Sequence, residues 1–250
     1  MANMERHLGI DIGGTNIACG IVNENCEIVA RSKVKTNSPR PYAEILADII
    51  RAAELACAEA GITSQQLASI GIGCPGTCNQ ATGVVEYSNN LGFVNAPLRT
   101  DIESKFGVPT YLGNDADAAA YGEYCAGAAK GAGSAVVITL GTGVGSGIII
   151  DGKIYSGSNF AGGEIGHTVI EVDGRPCTCD RLFQRNEQRV ALVADSPADT
   201  EYIRLENVDN VRYPHREVLH IKVRDELSGF VALLHSYVSS PGADLSFILY

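Results

Sequence analysis

The chain has 250 residues, 45% hydrophobic and 19% charged, enough for one large or two modest globular domains. A net charge of −10 disfavours a nucleic-acid or membrane-surface partner. The first residues, Met1-Ala2-Asn3-Met4-Glu5-Arg6, carry no apolar leader, and no apolar run is long enough to span a membrane, so a cytoplasmic location with reduced cysteines is expected.

The first informative stretch is Leu8-Gly9-Ile10-Asp11-Ile12-Gly13-Gly14-Thr15-Asn16. An apolar run leads into one carboxylate, two glycines, a hydroxyl and an amide, and a second apolar run, Ile17 to Val22, follows. The pattern predicts strand, tight bend at Gly13-Gly14, strand. Two readings of the bend stay open. One is an ordinary hairpin. In the other, backbone N–H groups converge on an anion while Asp11 holds Mg²⁺ or a metal-bound water beside it. No Walker-type P-loop and no dinucleotide fingerprint accompanies it.

A third strand is expected over Cys26 to Ser32, and a helix over Tyr42 to Ala60 with Gly61 just past its end. Ser69 to Gly73 reads as a strand entering the turn Gly73-Cys74-Pro75-Gly76. Gly83 to Tyr87 is the next strand and runs into Ser88-Asn89-Asn90-Leu91-Gly92-Phe93, whose amides serve either as turn formers or as hydroxyl ligands. Leu98 to Phe106 reads as a helix, Val108 to Leu112 as a strand, and Ala118 to Ala126 as a helix with Asp117 at its N-cap. That leaves Asn114 and Asp115 at the carboxyl end of a strand, where open α/β sheets place ligands. Cysteines in apolar or small surroundings, such as Cys19, Cys57 and Cys125, are expected to be buried.

Ser134 to Ile150 repeats the opening pattern at an offset of 128, laying Ile138-Thr139-Leu140-Gly141-Thr142-Gly143 over Ile10 to Thr15. Two related lobes, each offering a phosphate-binding turn, are expected. Alternating strands and helices indicate an α/β class. Farther on, Glu164 and His167 stand three apart among small residues, and Cys177 and Cys179 follow His167 closely. Those three leave a tetrahedral Zn²⁺ one ligand short.

Together these motifs resemble the ROK sugar kinases, glucokinases above all, over about residues 8–179. The resemblance implies a two-lobed, actin-like and ribonuclease-H-like ATPase fold. It divides the chain into an N-terminal lobe (1–115), the start of a C-terminal lobe (116–180) and a tail (181–250). It implies ATP-dependent phosphorylation of a hexose, glucose at its 6-hydroxyl being expected. By position, Asp115 looks like the general base, and Asn90, Asn114, Glu164 and His167 look like sugar ligands. Asp11, Gly13, Gly14, Thr15, Gly141, Thr142 and Gly143 look like the Mg²⁺–phosphate site, and His167, Cys177 and Cys179 look like part of a structural zinc site. Homo-oligomers are common among such proteins. The competing reading is a non-catalytic sugar sensor of the same family.

The family continues C-x-C-G-x-x-G-C-x-E, whereas this chain reads Cys177-Thr178-Cys179-Asp180-Arg181-Leu182-Phe183-Gln184-Arg185-Asn186. Both glycines, the last zinc cysteine and a sugar-binding glutamate are replaced. Composition shifts at the same point: 26 of 28 glycines lie in residues 1–180, while 7 of 13 arginines lie in residues 181–250. The C-terminal lobe is therefore expected to be incomplete, as a reading-frame shift with a premature stop would leave it, and kinase turnover weak or absent. Within the tail, Val218 to Val223 reads as a strand and Glu226 to Ser239 as a helix.

Overall fold

The computed structural model describes residues 5–140, 144–167, 230–236 and 245–248. Two compact units divide it, Met1–Ala119 with Gly157–Ala161 and Ala120–Ser156 with Gly162–Tyr250.

In the first unit, β1 (Arg6–Ile12), β2 (Asn16–Asn23) and β3 (Ile28–Lys35) form an antiparallel meander. β4 (Ser69–Cys74) and β8 (Thr110–Asn114) add to β1 in parallel, giving the order β3-β2-β1-β4-β8. Alternation explains the register: Leu8, Ile10 and Ile12 of β1 and Ile17, Cys19 and Ile21 of β2 are all buried on one face. Helix α1 (Tyr42–Glu59) covers that face with Ile45, Ile49, Ala52, Ala53, Ala56 and Cys57. Small residues at three of these positions let the helix approach the strands closely. Each fully buried isoleucine contributes about 2–3 kcal/mol. Helix α2 (Leu98–Phe106) stops at Gly107, whose φ of 69° is the left-handed C-cap conformation.

A small antiparallel sheet, β5 (Thr77–Asn79), β6 (Val84–Ser88) and β7 (Phe93–Ala96), is joined to the same core by Cys78, Val85 and Phe93. Phe93 meets the Tyr42 ring edge to face at 5.1 Å, and the Tyr42 hydroxyl donates to Asp101 at 2.7 Å. Gly76 joins β4 to β5 with φ +105°, and a Cβ there would collide with the Tyr87 carbonyl oxygen. Gly76→Ala is therefore expected to cost about 2–4 kcal/mol. A urea melt checks this; an unchanged midpoint would show that the turn gives way freely.

In the second unit, β9 (Ser134–Leu140) and β10 (Val144–Ile150) form the second hairpin, with β11 (Lys153–Ile154) outside it. β12 (Phe230–Ser236) runs parallel to β9, and β13 (Leu245–Ile248) antiparallel to β12, for the order β11-β10-β9-β12-β13. Both sheets thus set a hairpin beside a parallel strand; the 128-residue repeat itself covers only the hairpins. The turns differ: four residues separate the Ile12–Ile17 pair, and three separate Leu140 from Val144.

Several expectations shift. The third strand lies two to three residues later than read. β8 ends at Asn114 because it pairs with β4 as far as Cys74. The helix α3 (Asp115–Ala126) begins three residues early, so Asp117 is in its first turn and is not its cap. Cys125 is exposed, while Cys19 and Cys57 are buried. Residues 230–236, read as helical, form a strand; a continuous apolar run fits either state, and pairing with β9 decides it. Val218 to Val223 lies outside the described residues.

Candidate functional site

The sheet aligns three carboxyl strand ends. Asp11 on β1 pairs with Gly73 on β4, Gly73 pairs with Gly113 on β8, and Cys74 pairs with Asn114. Asp115 comes one residue later. Both predicted carboxylates therefore stand at the same edge of parallel strands, the edge at which such sheets bind ligands. Gly73 lies close beside the start of α3: a Cβ there would just touch the Asp115 Cα at 3.4 Å and the Ala118 Cβ at 3.5 Å. Cys74 sits between the carboxylates. Its thiol is held neutral, first by the Cys78 thiol, then by burial, then by the charges of Asp115 and Asp11.

Asp11 reaches solvent, yet protein crowds its remaining sides, and lost hydration raises its pKa above the usual carboxylate value. Lys33 opposes that shift. It lies two strands away in the same row, across Ala18, which pairs with both Asp11 and Lys33.

In the first glycine turn, the Gly13 N–H donates to the Asn16 carbonyl at 2.8 Å. It is therefore committed within the turn and is not a free anion donor. The Gly14 and Thr15 N–H groups donate to no acceptor among the described residues. Neither glycine has a positive φ. Gly13 is favoured for space, since a Cβ there would lie 3.0 Å from the Asn16 carbonyl oxygen, whereas one on Gly14 would make only ordinary contact with Asn90 at 3.7 Å. Thus the turn carries open donors and lies near the Asn90 loop. Asn90 itself is exposed, and its neighbour Asn89 accepts from the Tyr87 hydroxyl at 3.2 Å.

Asn114 is the helix cap that Asp117 was read to be. Its Oδ1 accepts from the Ala116 N–H at 2.8 Å and the Asp117 N–H at 3.2 Å. Its Nδ2 donates to the Gly76 carbonyl at 3.2 Å, tying the β4–β5 turn to the start of α3. With Oδ1 occupied, one amide hydrogen remains to offer a ligand, so Asn114 can act only as a donor. Asp115 follows at the first helical position, where the helix dipole favours a negative charge. One of its oxygens accepts from the Ala116 N–H at 3.0 Å.

In the second unit, Glu164 and His167 face each other at 3.5 Å across one short helical turn. That turn is docked on β10. The Ser146 hydroxyl donates to the Gly163 carbonyl and accepts from the Ile165 N–H, and a Cβ on Gly166 would strike the Val144 carbonyl oxygen. Gly166 thus permits a close approach of this turn to β10. Gly141, Thr142, Gly143, Cys177 and Cys179 lie outside the described residues. Of the zinc grouping only His167 is described. Its Nε2 faces Glu164, and no group of three potential metal ligands occurs among the described residues.

Sequence reading missed Thr36 and Ser38. The Thr36 hydroxyl donates to the Gly13 carbonyl at 2.6 Å, and the Ser38 hydroxyl to the Asn90 carbonyl at 2.6 Å. No local signal in Lys35-Thr36-Asn37-Ser38-Pro39 announces either bond.

The ROK family profile matches residues 7–182. The chain belongs to the ROK family. It is 38% identical over 176 residues to a glucokinase of Halalkalibacterium halodurans, covering 70% of this chain and 53% of that protein. The structure of a ROK family glucokinase from Streptomyces griseus, in complex with glucose and AMPPNP, superposes with a TM-score of 0.63 at 37% identity, covering 70% of this chain and 54% of that one. A xylose repressor of Caldicellulosiruptor bescii is 29% identical over 82% of this chain and 53% of its own length. The fold is that of the ROK sugar kinases, and the chain spans about half the length of the curated relatives it matches. No helix among the described residues is long and apolar enough to cross a membrane.

Proposed function

We propose that this ROK family chain is a hexose kinase, transferring the γ-phosphoryl group of ATP to a sugar hydroxyl, with glucose and its 6-hydroxyl as the preferred acceptor. The observation that carries the reading is the placement of Asp11 and Asp115 at the carboxyl ends of two parallel strands, β1 and β8, that flank β4, beside a glycine turn with open N–H donors. The family's glucokinases supply the substrate class.

The residues fit an anion paired with a divalent cation. Open N–H groups at Gly14 and Thr15 suit phosphate oxygens, and a crowded carboxylate at Asp11 suits a cation or its bound water. Bound Mg²⁺ would offset the phosphate charge. Asp115 accepts the hexose hydroxyl proton as the new P–O bond forms. Asn114 donates to a sugar hydroxyl, Asn90 offers its exposed amide, and Glu164 and His167 are further hydroxyl ligands. Gly141, Thr142 and Gly143 are assigned to the second phosphate turn. His167, Cys177 and Cys179 retain three of four zinc positions, and no step is assigned to zinc.

Asp11→Asn separates this role from a structural one. Crowding on its protein side slightly disfavours the ionised Asp11 at neutral pH, and that small cost fades as pH falls through its raised pKa. The neutral amide removes it. Stability at pH 7 is expected to be unchanged or slightly raised, because solvent screens the exposed side of the carboxylate. Affinity for Mg²⁺-bound AMPPNP is expected to be lost. Calorimetry and titration check both; a lowered melting point would make Asp11 a structural residue.

The repressor relatives favour a second reading, a sugar sensor without catalysis. A coupled ATP-to-ADP assay with glucose, mannose, fructose and N-acetylglucosamine discriminates between them. Hexose-dependent ADP formation is expected. Sugar binding without it would support the sensor.

A further inference from the structure

Residues 36–40, Thr36-Asn37-Ser38-Pro39-Arg40, leave β3 and touch both halves of the proposed site within the first unit. Thr36 is fully buried. Its hydroxyl donates to the Gly13 carbonyl at 2.6 Å and its N–H to the Thr15 carbonyl at 3.0 Å. A trans peptide points its N–H opposite its C=O. Fixing the Gly13 carbonyl toward Thr36 therefore turns the Gly14 N–H away from it, and that N–H has no acceptor among the described residues. Two positions on, the Ser38 hydroxyl holds the Asn90 carbonyl at 2.6 Å, on the loop that lies near Gly14.

Arg40 anchors the segment. Its Nε and Nη2 donate to the Thr36 carbonyl at 3.0 and 2.5 Å. Nη2 also reaches Asp48 on α1 at 2.5 Å. The Asp48 carboxyl is held below its usual pKa, foremost by that Arg40 bond, and also accepts from Arg51 at 2.6 Å. The segment is thus fixed at one end to the helix and at the other to the glycine turn.

We propose that Thr36 and Ser38 are positioning residues that set two ligands separately: Thr36 aims the Gly14 N–H at a nucleotide phosphate, and Ser38 places Asn90 for the hexose. The Arg40–Asp48 pair keeps the two in register. The assignment of ligands rests on the kinase reading; the brace itself rests on the hydrogen bonds.

Two measurements on the full chain test this. In the unliganded protein, hydrogen exchange over residues 13–16 is expected to quicken at least tenfold in Thr36→Val, which keeps the shape but strands the Gly13 carbonyl, and to stay near wild type in Thr36→Ser. Equal exchange in Thr36→Val and wild type would overturn the brace. In titrations, Thr36→Val is expected to weaken Mg²⁺-bound AMPPNP about tenfold and glucose less than twofold. Ser38→Ala is expected to show the reverse preference. Equal weakening of both ligands by both variants would make the segment merely structural. If the wild-type chain binds neither ligand, the kinase reading fails and the exchange comparison still decides the brace.

Discussion

Asp115→Asn is expected to lower kcat for hexose phosphorylation by about 10²–10⁴-fold, the usual contribution of a general base, with glucose affinity kept within about twofold. The amide retains the shape and can still accept from the Ala116 N–H, so the start of α3 is preserved. It cannot take up the hydroxyl proton. A loss confined to kcat marks an interaction made only in the transition state. Steady-state kinetics and calorimetric glucose titration check it together. A variant that loses glucose affinity with kcat intact would reassign Asp115 as a sugar ligand only.

The second large effect concerns residues after Cys179. The family profile ends at residue 182, and the C-x-C-G-x-x-G-C-x-E pattern expected from the resemblance is not continued over Asp180 to Asn186. We propose that residues 181–250 limit the activity of the proposed site. Replacing residues 181–250 by the corresponding part of the Streptomyces griseus glucokinase is expected to raise kcat/KM for glucose by about 100-fold or more, since small displacements of a bound substrate cost about that much. A coupled assay on the chimera and the original chain provides the comparison. Equal activity would show that the native tail serves as well.

Much of the first unit was legible because its signals are local. Helix α2 ends at Phe106 because Gly107 takes the left-handed conformation there, and α1 starts at Tyr42 after Pro41. The first hairpin follows from alternation on either side of Gly13-Gly14. The β8–α3 junction was less legible. Asn114, Asp115 and Asp117 are all good cap residues, and the choice is made by β4, whose pairing draws β8 out to Asn114. The Gly76 bond then commits the Asn114 amide. Asp115 was legible by position, but the bonds that set its neighbourhood were not. Thr36 and Ser38 were beyond local reading, since their partners lie 23 and 52 residues away. Cys125 looked like a core residue by composition and lies at the exposed end of α3.

Where the phosphoryl group goes is the most direct question to put to this protein. Phosphorus NMR of the full chain with Mg²⁺, ATP and glucose follows it without a coupling enzyme. Slow growth of a hexose phosphate signal, matched by ADP and absent with Asp115→Asn, is the predicted result. Inorganic phosphate alone, or sugar phosphate formed equally well by the variant, would contradict the assignment of Asp115 as the base that activates a hexose hydroxyl.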